Sequence, residues 1–434
     1  MNVLHRILSG VAWSLIARVF NQGGTLAVNL ILANLLGRTA FGEYAIIYTT
    51  ILTVTTISGL GVGSSATKYI AEFRLIDKQK AARVLRLCSA TATITGSLAC
   101  CLLLVFAGSI ADELLRAPNL AGGLRIASVA VVFAVLNSYL VGGLAGLEAY
   151  PAMARASICG ATIQVTACTI GGWFGGVNGA VIGLILGGVS QWFMLSFLLQ
   201  DEQAKQLLEA TYRGLSREWE LIWKYLVPAG LSGFVSMPAV WFANVLLVRS
   251  SDGFNQIAIY SVASNIRMCI LFLPHIVNGV GVSLINVQTG LRDMNGYRKT
   301  FWLNLALTTL TAILGACVAV LMGHHVLALF GKAFTDGESV LTILSVAAVV
   351  EAFAVAMYQV IQSRAEMWRS LWLVCLPRDL TFVVVTYLLV PGNGAVGLAY
   401  AFAVACGVWL STTVALVVSL GISPSHVRSV AMHR

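Results

Sequence analysis

Apolar residues come in runs of membrane length along this chain, and charged residues gather in the short gaps between the runs. Twelve runs cover about 8–36, 43–64, 87–110, 122–146, 152–175, 177–200, 221–248, 255–285, 300–323, 338–362, 370–391 and 393–420. Roughly 20 apolar residues span the bilayer hydrocarbon as a helix, and lipid leaves few other ways to satisfy a backbone. The pattern therefore predicts an all-α integral membrane protein with twelve transmembrane helices. Composition closes off the soluble alternative. Only 10% of residues are charged and 58% are hydrophobic, so a water-soluble helical enzyme would lack a polar surface.

Lys and Arg set the expected orientation. With a cytoplasmic N-terminus and twelve crossings, cytoplasmic segments hold 19 of the 27 Lys and Arg residues. The opposite face holds five, Arg38, Arg116, Arg125, Arg249 and Lys332, and three fall inside spans, Arg18, Arg267 and Arg378. Both termini are then cytoplasmic. Basic loops lying against anionic lipid headgroups account for the net charge of +9 without a nucleic-acid partner. The start has a signal-peptide outline, but Arg18 interrupts it and the apolar run resumes, so an uncleaved first span is expected. The nine cysteines sit mostly inside spans and read as small apolar filler. No connection is long enough for a soluble domain. In the gap 65–86, Tyr69, Phe73 and Ile76 recur at helical spacing, which predicts an interfacial helix.

The chain echoes itself at half length. Asn178-Gly179-Ala180-Val181 recurs as Asn393-Gly394-Ala395-Val396, 215 positions on. The Tyr44 region is echoed near Tyr260, and Gly59-Leu60-Gly61 by Gly279-Val280-Gly281. Duplication predicts two pseudo-symmetric six-helix bundles around a central cavity, 1–205 and 206–420, with a cytoplasmic tail at 421–434. Six spans per half is an even number, so the pseudo-two-fold axis runs along the membrane normal.

Polar residues inside the spans are the candidate site. Arg18, Asn21, Gln22, Thr25 and Asn29 of the first span share a stripe about 100° wide. A guanidinium at mid-bilayer costs on the order of 3 kcal/mol, so the stripe is expected to face protein or water. Snorkelling of Arg18 to the inner headgroups is the plain alternative. In the eighth span Tyr260, Ser264, Arg267 and Asn278 share a face, and Pro274 is expected to kink the helix. For Arg267 the plain alternative is an ion pair within its own lobe. Glu351 and Asp379 are candidates for ion or proton coupling, as is His275, against charge pairing or an interhelical hydrogen bond. Arg378 adds a further cation. Adjacent residues point about 100° apart on a helix, so Arg378 and Asp379 are not expected to face each other.

Other motifs carry little chemistry. Gly61-Val62-Gly63 ends a membrane run with no βαβ unit around it, and Gly331-Lys332 lacks the rest of a P-loop. His324-His325 has no zinc-binding frame. No metal, no cofactor and no catalytic constellation are expected.

Four segments carry a family resemblance. Leu36-Gly37-Arg38-Thr39-Ala40-Phe41-Gly42-Glu43-Tyr44 resembles the opening of bacterial polysaccharide (O-antigen and exopolysaccharide) flippases. These belong to the multidrug, oligosaccharidyl-lipid and polysaccharide exporter superfamily. Lys68-Tyr69-Ile70-Ala71-Glu72, Tyr225-Leu226-Val227-Pro228 and Leu389-Val390-Pro391-Gly392-Asn393-Gly394-Ala395-Val396-Gly397 are similar to later family segments. The resemblance implies flipping of an undecaprenyl-diphosphate-linked oligosaccharide across the bacterial inner membrane by alternating access. It also implies a cationic cavity for the diphosphate, and export partners such as a glycan polymerase. The lipid II flippase branch of the superfamily places arginines in its first and eighth spans, the spans where Arg18 and Arg267 stand here. A guanidinium grips diphosphate oxygens bidentately, which suits that role. Glu351 departs from a purely cationic lumen. A drug or cation antiporter of the same fold is the alternative, and a membrane polysaccharide polymerase or ligase stands further off because the outer connections are short.

Overall fold

The computed structural model describes residues 3–205, 219–291, 294–363 and 367–420. The expected tail 421–434 lies outside them, as do Arg213, Arg217, Arg292 and Arg364 of the basic gaps. The described chain is helical throughout, without a strand. In order the helices are α1 (Val3–Gly59), α2 (Val62–Phe73), α3 (Lys78–Ser109), α4 (Leu120–Gly146), α5 (Tyr150–Lys205), α6 (Trp219–Val248), α7 (Gly253–Leu291), α8 (Met294–Leu321), α9 (Gly323–Leu329), α10 (Glu338–Ser363), α11 (Met367–Ser370) and α12 (Leu376–Leu420). Eight helices among the described residues are long and apolar enough to cross a membrane, and Gly233–Val248 adds a shorter apolar stretch. Large side chains on their outer surfaces, such as Phe174 (84% exposed) and Leu321 (85%), would be costly in water and are at home in lipid.

The difference between eight helices and twelve apolar runs has a physical cause. α1, α5 and α12 each contain a glycine with non-helical backbone, at Gly37, Gly176 and Gly394. Gly37 and Gly176 fall between two of the predicted runs, and Gly394 falls at the start of the last one. At Gly176 (φ 56°, ψ −136°) the chain doubles back. A methyl group added at Gly171 would meet the Gly179 carbonyl oxygen at 2.1 Å, and one at Gly183 the Cys168 backbone at 2.5 Å. The two halves of α5 are thus an antiparallel hairpin whose glycines allow the backbones to touch. Gly394 (φ 52°, ψ −130°) makes the same bend in α12. There Phe382 packs edge-on to Phe402, with centroids 6.2 Å apart. Both copies of the Asn-Gly-Ala-Val repeat sit at these bends. Left-handed backbone at Gly37 and Arg116 likewise recurs at Asp252 and Gly331, each 215 positions on.

The chain divides into two compact units, Met1–Ala258 and Ile259–Arg434. In the first, α1 lies on α5, and α4 packs between α3 and α5. α2 buries Val62, Ser65, Ala66, Tyr69 and Ile70, one face of a helix, against α4. Gly63 and Gly142 meet there without room for a side chain, and Thr67 Oγ1 donates to the Gly142 carbonyl at 3.1 Å. The interfacial stripe expected over 65–86 holds only in part: Tyr69 stacks on Phe73, but Ile76 lies past the helix end and is 83% exposed. The Asp77 side chain accepts from the Lys80 amide at 2.9 Å and starts α3. In the second unit, Ile285, Tyr297, Phe301, Val360, Val374 and Val417 form a core joining α7, α8, α10 and α12.

Candidate functional site

The first-span stripe lies on α1 in unit 1. Arg18 is exposed, and among the described residues it has no hydrogen-bond or ion-pair partner. Asn21 Nδ2 donates to Ser157 Oγ of α5 at 3.2 Å, and Thr25 Oγ1 donates to the Asn21 carbonyl at 3.0 Å. Gln22 is half-buried and Asn29 is buried. The stripe therefore runs along the seam with α5 at Asn21 and leaves Arg18 open one turn earlier. A methyl group on Gly24 would meet the Ala161 side chain at 2.8 Å, so the two helices touch here as well.

Unit 2 concentrates charge around α7. Arg267 is buried, and its Nη1 pairs with Glu351 Oε2 of α10. Its guanidinium carbon lies 4.5 Å from the ring centroid of Phe402 on α12, a cation–π contact in a dry setting. Its buried Nε has no acceptor among the described residues. Tyr260, on the same face of α7, is within electrostatic reach of both Arg267 and Glu351, and Ser264 hydrogen-bonds to it. A buried charge pair survives desolvation only with close geometry and further contacts, and here the Phe402 face supplies one.

The second cation behaves differently from expectation. Arg378 Nε donates to Asp379 Oδ1 at 2.7 Å, although the two residues are neighbours on a helix. The long arginine stem folds back across the 100° between them, which a periodicity argument based on Cβ directions misses. Asp379 is buried, and the Arg378 guanidinium carbon stands 5.1 Å from the Trp409 ring centroid. Asn278 belongs to a third group. Asn304 Nδ2 donates to Gln359 Oε1 at 3.1 Å and Gln359 Nε2 to the Asn278 carbonyl at 3.0 Å, so this amide network ties α7, α8 and α10 together. Pro274 lies inside α7 and the His275 side chain is exposed.

Unit 2 thus brings Tyr260, Ser264, Arg267 and Glu351 together, and Arg378 with Asp379. Phe402 and Trp409 were not anticipated. They lie on the return arm of the α12 hairpin, and Trp409 stands about as far beyond Gly394 as Arg378 stands before it, so for Trp409 the bend is the signal that would have found it. In unit 1 the pair of buried Arg74, after α2, with half-buried Glu148, before α5, was also missed. Its two residues lie in different gaps of the sequence.

The profile of a family described as polysaccharide biosynthesis protein matches residues 7–285. The chain belongs to this family. It is also similar, at 23% identity over 419 residues, to the EPS I polysaccharide export inner membrane protein EpsE of Ralstonia nicotianae, covering 93% of this chain and 92% of the relative. The fold is that of the MOP superfamily. An inward-facing multidrug resistance MATE family transporter superposes with a TM-score of 0.74 at 18% identity, over 95% of this chain and 98% of the other. A MOP superfamily transporter from Pyrococcus furiosus superposes with a TM-score of 0.72 at 20% identity, over 96% of each chain. The structural likeness agrees with the fold that the sequence resemblance implies.

Proposed function

We propose that this protein is a polysaccharide exporter of the bacterial inner membrane that flips an undecaprenyl-diphosphate-linked oligosaccharide to the outer leaflet by alternating access. The family match carries the reading. The bends that recur about half a chain apart support a duplicated, twelve-span architecture with the lobes expected at 1–205 and 206–420. The cationic groups support the substrate class. Arg18 is exposed on α1 without a partner among the described residues, and the buried Nε of Arg267 has a donor to spare. Either kind of donor suits phosphate oxygens. Asn21, Gln22, Thr25 and Asn29 accompany Arg18 in the first unit, and Tyr260, Ser264 and Arg378 accompany Arg267 in the second, as candidate neighbours for sugar and phosphate oxygens. Glu351, Asp379 and His275 are the residues through which an ion or proton would couple.

A drug or cation antiporter is the second reading, favoured by the MATE-like fold. Such a transporter needs a carboxylate for its cation, and Glu351 and Asp379 are both engaged by arginines. The chain reads as a transporter, not an enzyme. Deletion followed by mass spectrometry of lipid-linked glycans on each membrane face tests the proposal. Accumulation on the inner face is expected; unpolymerised units on the outer face would instead indicate a polymerase.

A further inference from the structure

We infer that unit 1 also carries a binding site for an anionic phospholipid, in a cavity of about 340 Å³ between α3, α4 and the second half of α5. This site lies apart from the stripe on α1 and does not depend on the flipping reading. Its polar wall includes Arg86 and Ser89 from α3, Tyr139 from α4, and Ser196, Gln200 and Gln203 from α5. Its apolar wall includes Trp192, Phe193 and Phe197.

Depth selects the ligand. Arg86 is the last charge on α3 before an uncharged run that starts at Leu87 and lasts to Ala111. Gln200 directly precedes Asp201, the first charge on α5 after Arg155. Arg86 and Gln200 therefore share one level, the boundary between charged and apolar chain, where a phospholipid carries its phosphate. Phe197 and Phe193 lie one and two turns deeper on α5 and are 68% and 70% exposed, a surface suited to acyl chains. Trp192 is held edge-on to Phe133, with centroids 5.8 Å apart, as interfacial tryptophans are often anchored.

Charge selects the headgroup. Lys78, Lys80 and Arg83 stand at the same end of α3, which the positive-inside rule assigns to the cytoplasmic leaflet. The acids at the end of α5 are turned to Lys205, with Asp201 at 2.6 Å and Glu202 at 3.0 Å. One guanidinium with hydroxyls and amides matches a single phosphodiester and its glycerol. An isoprenoid diphosphate shares the phosphate-on-a-tail chemistry but brings more charge and an oligosaccharide too large for this volume.

Trp192 provides the probe. The purified full chain is reconstituted in phosphatidylcholine vesicles containing acyl-brominated phosphatidylglycerol or acyl-brominated phosphatidylcholine. The Trp192 signal is the difference between wild type and Trp192→Phe. The expected result is tighter quenching by brominated phosphatidylglycerol, by about fivefold, the effect of one basic residue at an anionic interface. Arg86→Gln removes the preference and Arg86→Lys keeps most of it. Gln200→Glu, at an exposed position, removes it by placing a carboxylate beside the phosphate, and serves if Arg86→Gln fails to fold. Equal quenching by the two lipids in wild type, or a preference that survives both Arg86→Gln and Gln200→Glu, overturns the site. Relief of quenching by stoichiometric undecaprenyl diphosphate overturns the phospholipid assignment in favour of the isoprenoid.

Discussion

Arg267 is where a single charge has most at stake. Its guanidinium is buried between Glu351 and the Phe402 ring, so its stability depends on the carboxylate. Removing one partner of a buried pair typically costs about 3–5 kcal/mol, whereas replacing both with apolar residues is often neutral. Glu351→Gln is therefore predicted to lower the thermal stability of the purified protein sharply, and Arg267→Met with Glu351→Leu to recover most of it. If glycan export stays lost in the double variant, the pair serves transport; recovered export would reduce it to a structural clasp. Arg18 makes a contrasting case. Being exposed and without a partner among the described residues, it has little stability to lose. Arg18→Ala is predicted to abolish glycan display at normal expression and unchanged melting temperature, while Arg18→Lys retains part of it. Display at the wild-type level in Arg18→Ala would remove this residue as a ligand.

At the scale of elements, the bends at Gly176 and Gly394 decide the architecture. Their backbone angles are nearly the same and lie where residues with a Cβ are strained. Space around Gly176 is open, so Gly176→Ala is predicted to act through the backbone alone, at a cost of about 1–3 kcal/mol. A thermal melt of that variant matching wild type would show that the bend tolerates a side chain. The apolar runs made these hairpin arms legible, because each arm is long enough to fill a bilayer. The bends were legible less directly, through the repeated Asn-Gly-Ala-Val next to them. The Arg74–Glu148 pair and the packing of Phe402 on Arg267 were not legible, since each depends on which helices meet and no local period encodes that. The contact of Arg378 with Asp379 escaped for the opposite reason: it is local, but it depends on side-chain length rather than on helical direction.

Across the whole molecule, an all-helical chain with apolar outer faces belongs to a polysaccharide biosynthesis family and shares the MOP superfamily fold. Membrane class and candidate residues could be read from where charge is absent and where it intrudes. How the intruding charges are satisfied needed three dimensions. The proposed role of the cationic side chains is to carry a lipid-linked glycan between leaflets. Its most direct test is transfer of an undecaprenyl-diphosphate-linked oligosaccharide across proteoliposomes. Wild-type protein is predicted to speed the transfer, and Arg18→Ala and Arg267→Ala each to reduce it towards the protein-free rate. Transfer no faster than in empty vesicles with wild type, or undiminished in both variants, would contradict the account.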